Sequence, residues 1–169
     1  MQPRDLLTDG FGRISESLRA AVGGLSPDQL AHRIAPGANP IGWLGWHLLR
    51  VQDDHVADVA GWAQVWIAEG WADRFGLDLE PSATGYGFAD DEVDRVRIPS
   101  AELLLGYADA VHARTNEFLA GIDAGDLDRV VVDSWDPPVT LGVRLVSVLS
   151  DDLQHVGQAA YARGLLDAG

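Results

Sequence analysis

The sequence predicts an all-α protein: a four-helix bundle with a long connection between its second and third helices. Three observations carry this. Apolar residues recur at three- and four-residue steps in four separate stretches. Helix-starting and helix-stopping residues bracket those stretches. No stretch makes a convincing strand of a sheet. At 169 residues the chain suits one domain, 1–169, large enough to bury a core.

The first helix is expected over 4–22, where Leu6, Leu7, Phe11, Ile14, Leu18 and Val22 form the stripe and Gly23-Gly24 ends it. Ser26-Pro-Asp-Gln29 opens a short helical turn, because serine caps well and proline suits the first helical position. Residues 33–40 form a Pro/Gly loop. The second helix starts after Asn39-Pro40, with Ile41, Leu44, Leu48, Val51, His55 and Val59 along one face. His47 sits beside that stripe with Trp43, Arg50 and Asp54, at the boundary between core and solvent. Trp43, Trp46, Trp62, Trp66 and Trp71 are expected to anchor helix packing or dimer contacts.

Residues 71–98 are the least regular stretch, and a loop of that length is a functional or mobile one. Tyr86, Phe88 and Arg74 are its candidate lid residues. Pro99-Ser-Ala-Glu102 starts the third helix with Ser100 as cap, and Gly121 closes it. Residues 122–138 form a polar loop in which Val130–Val132 could be extended and Asp136-Pro-Pro138 turns. Thr140 caps the fourth helix, expected over 141–165 and ending at Gly164 or just after.

The chemistry concentrates on that fourth helix. Asp151 and His155 stand four residues apart, so their side chains meet on one face. A carboxylate and an imidazole held there can grip a divalent cation but cannot fill its shell. His47 is the candidate third ligand. Spacing alone leaves other readings open: a solvated helix edge with an Asp–His ion pair, and a half-buried packing role for His47. His55 is either a core histidine or a support for the site. His32 and His112 read as surface or packing residues. Asp152 lies nearer the middle of the apolar stripe.

Composition narrows the function. Cysteine is absent, which excludes disulfides, thiolate metal sites and a cysteine nucleophile. Any metal must use His and carboxylate, and any thiol must arrive from solution. The net charge of −14 argues against nucleic acid as a partner. All twelve basic residues are arginine, which excludes a Schiff-base lysine and suggests GC-rich coding. No apolar run is long enough to span a membrane and no signal-peptide core opens the chain, so a cytoplasmic location is expected.

Asn39-Pro-Ile-Gly-Trp-Leu-Gly-Trp-His47 and Asp151-Asp-Leu-Gln-His-Val-Gly-Gln158 resemble motifs of the DinB/YfiT-like superfamily of four-helix candidate metalloenzymes. The resemblance covers essentially the whole chain. It implies a metal site of His47, Asp151 and His155, with Asp151 standing where many members carry histidine. It also implies kinship with mycothiol- and bacillithiol-dependent transferases. A divalent metal is the implied cofactor, zinc first, with nickel or iron compatible. A small-molecule thiol such as mycothiol would be the co-substrate, an electrophile the second substrate, and a homodimer the assembly.

The function expected is therefore a metal-dependent thiol S-transferase or isomerase-like enzyme. Arg50 is a candidate for orienting an anionic substrate. Asp152 is the nearest candidate base if the reaction were instead hydrolysis by water. A non-catalytic dimeric bundle that binds a metal or small ligand is the alternative.

Overall fold

The computed structural model describes residues 2–168. In chain order the elements are α1 (Pro3–Val22), α2 (Pro27–Ala31), α3 (Ile41–Ala60), α4 (Val65–Ala68), α5 (Trp71–Phe75), α6 (Asp90–Arg95), α7 (Ala101–Ala120), β1 (Val130–Val132), β2 (Val139–Thr140) and α8 (Leu141–Ala168). The four long helices α1, α3, α7 and α8 are the four that the apolar periodicity predicts. The two strands pair only with each other, as an antiparallel hairpin ahead of α8.

The expected caps form. Ser26 Oγ accepts from the Gln29 amide while Gln29 Oε1 accepts from the Ser26 amide, a reciprocal box. Ser100 Oγ accepts from the Leu103 amide at the start of α7. Thr140 Oγ1 accepts from the Val143 amide at the start of α8. The end of α8 differs from expectation: the helix runs through Gly164 to Ala168. Arg163 explains part of this. It pairs with Asp167 one turn on, and its guanidinium also donates to the Ala21 and Gly23 carbonyls at the open end of α1. Leu166 adds packing against the core.

Cross-contacts fix the helix directions. Leu149 lies against Gly10, and Arg163 reaches Ala21, so α1 and α8 run parallel. Arg144 meets His55 while Asp151 meets His47, so α3 and α8 run antiparallel. Gly45 lies against Leu104, Asp53 meets Tyr107 and Gln52 meets Thr115, so α3 and α7 run parallel. Each long helix therefore has two neighbours, in the ring α1–α8–α3–α7. At Gly45 a Cβ would stand 3.0 Å from Leu104 and 3.1 Å from Leu18, so a glycine there lets α3 approach both α1 and α7.

Parallel neighbours need a long crossover, and residues 61–100 supply it between α3 and α7. The stretch is more regular than the sequence suggests. It holds α4, α5 and α6, and Trp66, Trp71 and Phe75 are buried against Tyr107 of α7. The acidic run Asp90-Asp-Glu92 opens α6, where its charge suits the helix N-terminus. Arg74 packs over Trp71 and donates to the Glu69 carbonyl.

One buried group ties the crossover down. Arg50 is 0% exposed and donates to the carbonyls of Ala83 and Pro81 and to Gln64 Oε1. Its charge faces Asp53 Oδ2 at 3.5 Å. Asp53 in turn accepts from the Val65 and Trp66 amides and from the Tyr107 hydroxyl. Burial pushes the Asp53 carboxyl up, and these donors together with Arg50 pull it back.

Removing Arg50 leaves Asp53 buried without a counter-charge and frees residues 81–83. Arg50→Ala is expected to cost about 3–5 kcal/mol in urea unfolding, with protease cleavage appearing first within 61–100.

Candidate metal centre

Helices α3 and α8 bring His47, Asp151 and His155 together. One donor atom from each lies within 4.8 Å of the others. Asp151 Oδ1 stands 3.6 Å from His155 Nε2, and the two imidazole centroids are 4.8 Å apart. Among the described residues this is the one such group of three.

The far nitrogen of each imidazole is already engaged. His47 Nδ1 lies 2.6 Å from the Thr84 carbonyl, which only accepts, so Nδ1 carries the proton. His155 Nδ1 lies 3.0 Å from Gln158 Oε1 one turn on, which sets the same tautomer. Both Nε2 atoms then present lone pairs, and Asp151 presents a carboxylate. Asp151 Oδ2 is buried and has no hydrogen-bond partner among the described residues. Three acceptors converge with no donor between them, which is the signature of a cation site. A tetrahedral ion with bonds of about 2.1 Å sets its donors about 3.4 Å apart, so modest side-chain rotation closes the group around one.

The surroundings hold the histidines in place. Trp43 stacks on His47 with centroids 4.6 Å apart and planes at 16°, and it meets His155 edge-on. Gly85 has φ +90, and a Cβ there would lie 3.0 Å from His47 Nδ1 and 3.0 Å from Trp46. Only glycine both adopts that backbone and lets the Thr84 carbonyl reach the ring. Burial pushes the His47 imidazole below its ordinary value, and the nearby His155 adds to this, while Thr84 and Asp151 oppose it. A neutral imidazole is the form that can ligate.

A cleft of about 650 Å³ opens beside His47 and Asp151. Its walls come from α3, α8, Thr84 and Tyr86 of the crossover, and the hairpin with Trp135 at its tip. Tyr86 is 89% exposed at the mouth, whereas Phe88 packs against Trp46.

Two sequence candidates for catalysis fall elsewhere. Arg50 does not line the cleft. Its guanidinium is enclosed and engaged by the crossover, so it has no donor to offer a substrate. Asp152 is 0% exposed, faces the bundle core, and has neither oxygen hydrogen-bonded among the described residues. Burial, then Asp151, pushes its carboxyl well above the usual carboxylate range, and it does not line the cleft.

Sequence reasoning assigned no role to Thr84, Gly85 or Arg144, and read Trp43 as an anchor of helix packing or dimer contacts, with a substrate-stacking wall as the alternative. Gln158 could have been found by its place three residues after His155, and Arg144 by its place two turns before Asp151. The Thr84 carbonyl leaves no signal in side-chain chemistry. His55 lies in the cleft, joined to Arg144, and His32 and His112 are remote from it.

Fold and site together define a class: helical bundles in which two imidazoles and a carboxylate from antiparallel neighbours could hold a divalent ion. Comparison with known proteins identifies the family and the fold. The profile of the DinB superfamily matches residues 11–159, and the chain belongs to that superfamily. No curated protein matches the chain. A crystal structure described as the conserved protein of a locus from Enterococcus faecalis is similar over 100% of this chain and 99% of its own, with a TM-score of 0.92 and 28% identity.

If Thr84 and Gln158 set the imidazoles, Gly85→Ala and Gln158→Leu should each weaken divalent-metal affinity by about 10–100-fold, measured by competition with a chromogenic chelator, while the helical circular dichroism stays unchanged. His55 is also held below its ordinary value, by burial and then by Arg144. Folding thus favours the neutral forms of His47 and His55. The contribution of these two imidazoles to the stability of the metal-free protein should be level above about pH 6.5 and decline as the pH falls from there through the lowered values, on top of the opposite trend from the raised Asp53 and Asp152 carboxyls. Thermal melts of His55→Gln should show a shallower decline.

Proposed function

We propose that the protein is a divalent-metal-dependent enzyme that joins a low-molecular-weight thiol to an electrophilic substrate, or uses the thiol to isomerise one. Zinc is the first candidate for a His₂Asp donor set, with nickel or iron compatible, and mycothiol is a candidate thiol. The observation that carries the proposal is the convergence of three acceptors, His47 Nε2, His155 Nε2 and Asp151, beside a cleft, with the buried Asp151 Oδ2 left without a hydrogen-bond partner among the described residues.

A divalent ion bound there would supply a Lewis acid that lowers the pKa of an incoming thiol, so that it reacts as thiolate near neutral pH. The chain's own residues do the rest. Three protein ligands leave room for an exogenous one. Thr84 and Gln158 keep both imidazoles in the ligating tautomer. Trp43 covers one face of the His47 ring, and Val51 and Val148 give the cleft apolar wall. The chain has no cysteine, so the sulfur must come from solution. No described helix is long and apolar enough to cross a membrane.

Elemental analysis tests this first. Purified wild type should hold about one equivalent of divalent metal, and Asp151→Ala and His155→Ala should lose it. Stoichiometric metal retained by both variants would refute the site. Thiols are then screened against electrophiles with and without metal. Metal-dependent consumption of thiol supports the transferase. Bound metal with no turnover of any thiol leaves a binding bundle instead.

A further inference from the structure

Arg144 lies on α8 seven residues before Asp151, two helical turns or about 10 Å away along the axis. It lines the same cleft. Its side chain is only 17% exposed, yet it has one hydrogen bond, from Nη1 to His55 Nδ1 at 2.8 Å. The nearest carboxylate, Asp58 Oδ2, is 3.8 Å away, on a side chain that is 66% exposed. A guanidinium has five N–H donors. The others on Arg144 have no partner among the described residues, in contrast with the enclosed Arg50.

The contact with Arg144 also sets His55. A guanidinium only donates, so His55 Nδ1 accepts and its proton sits on Nε2. That Nε2–H has no partner among the described residues, and His55 lines the cleft too. Two unpaired donor groups thus share one end of the cleft, while the three unpaired acceptors lie toward the other. Between them the facing helices offer Val51 and Asp54 on one side and Ser147 and Val148 on the other, and the hairpin adds the apolar Val132, Trp135 and Val139.

We propose that Arg144 and His55 form a carboxylate-binding subsite, and that the molecule entering the cleft carries a carboxylate about 10 Å from the atom that meets the candidate metal centre. A planar guanidinium beside a neutral imidazole donor matches a carboxylate's two oxygens. The apolar walls strengthen such charge-assisted bonds. Asp54 and Asp58 stand beside the pair and the chain carries −14 overall, so a loosely held anion is disfavoured. Selection therefore rests on geometry. The distance across the cleft rests on the function proposed above; the subsite itself does not.

The test is calorimetric. Binding of 6-mercaptohexanoate and of 6-mercaptohexanol is compared on cobalt-loaded wild type, Arg144→Gln and Arg144→Lys, with the sulfur-to-cobalt absorption band followed in parallel. The acid should bind wild type at least about tenfold more tightly than the alcohol. That preference should vanish in Arg144→Gln and be partly kept in Arg144→Lys, with cobalt content unchanged. Equal affinity of acid and alcohol for wild type here, together with equal affinity of hexanoate and hexanol in the second arm, overturns the subsite, and a normal cobalt–thiolate band in that case leaves the proposed function standing.

A second arm uses hexanoate and hexanol without thiol, on metal-free protein and on cobalt-loaded protein already holding 2-mercaptoethanol. An Arg144-dependent preference for hexanoate with no cobalt–thiolate band supports the subsite and removes the thiol chemistry. Preference in the mercaptohexanoate arm assigns the carboxylate to the thiol, and preference for hexanoate only after 2-mercaptoethanol assigns it to the second substrate.

Discussion

Two neighbouring helices that run the same way cannot be joined by a short turn. In this chain α3 and α7 are such neighbours, and much of the structure around the site follows from that constraint. The connection must travel the length of the bundle, and residues 61–100 do so across the outside of α3 and α7. On the way they pass over His47, where the Thr84 carbonyl meets Nδ1 at 2.6 Å. A tight turn would have left that nitrogen to solvent and the ring free to rotate.

The crossover holds its position because Arg50 grips it from inside. A buried guanidinium is costly unless its donors and its charge are matched. Here the carbonyls of Ala83 and Pro81, Gln64 and Asp53 match them. Arg50 and His47 are neighbours one turn apart on α3, yet they do opposite things. Arg50 uses its polar atoms to close the protein around itself. His47 uses one nitrogen to be held and keeps the other available. The difference is legible only in their partners, because both are almost wholly buried.

Asp151 and Asp152 make the same contrast along α8. A rotation of about 100° per residue turns one carboxylate toward the histidines and the other into the core. Asp151 joins a group whose acceptors a cation would satisfy. Asp152 meets no donor at all among the described residues, and its burial pushes its carboxyl well above the usual carboxylate range. Adjacent residues of identical chemistry thus differ completely in surroundings, and the bundle's packing sets the difference.

Much was readable from the sequence. Apolar periodicity and capping residues determined four long helices, their starts at Pro40, Ser100 and Thr140, and the pairing of Asp151 with His155, because all of these depend on contacts within a few residues. The family motifs pointed to His47 as the partner across the bundle. Tertiary structure decided what depends on distant contacts. It chose which helices are neighbours and in which direction, and so let α3 meet α8 in antiparallel register. It enclosed Arg50, though its place beside His47 suggested an open cleft. It brought a backbone carbonyl to His47 and set Arg144 against His55. Helical spacing says which side chains share a face, but what that face meets is set by packing between elements far apart in the chain.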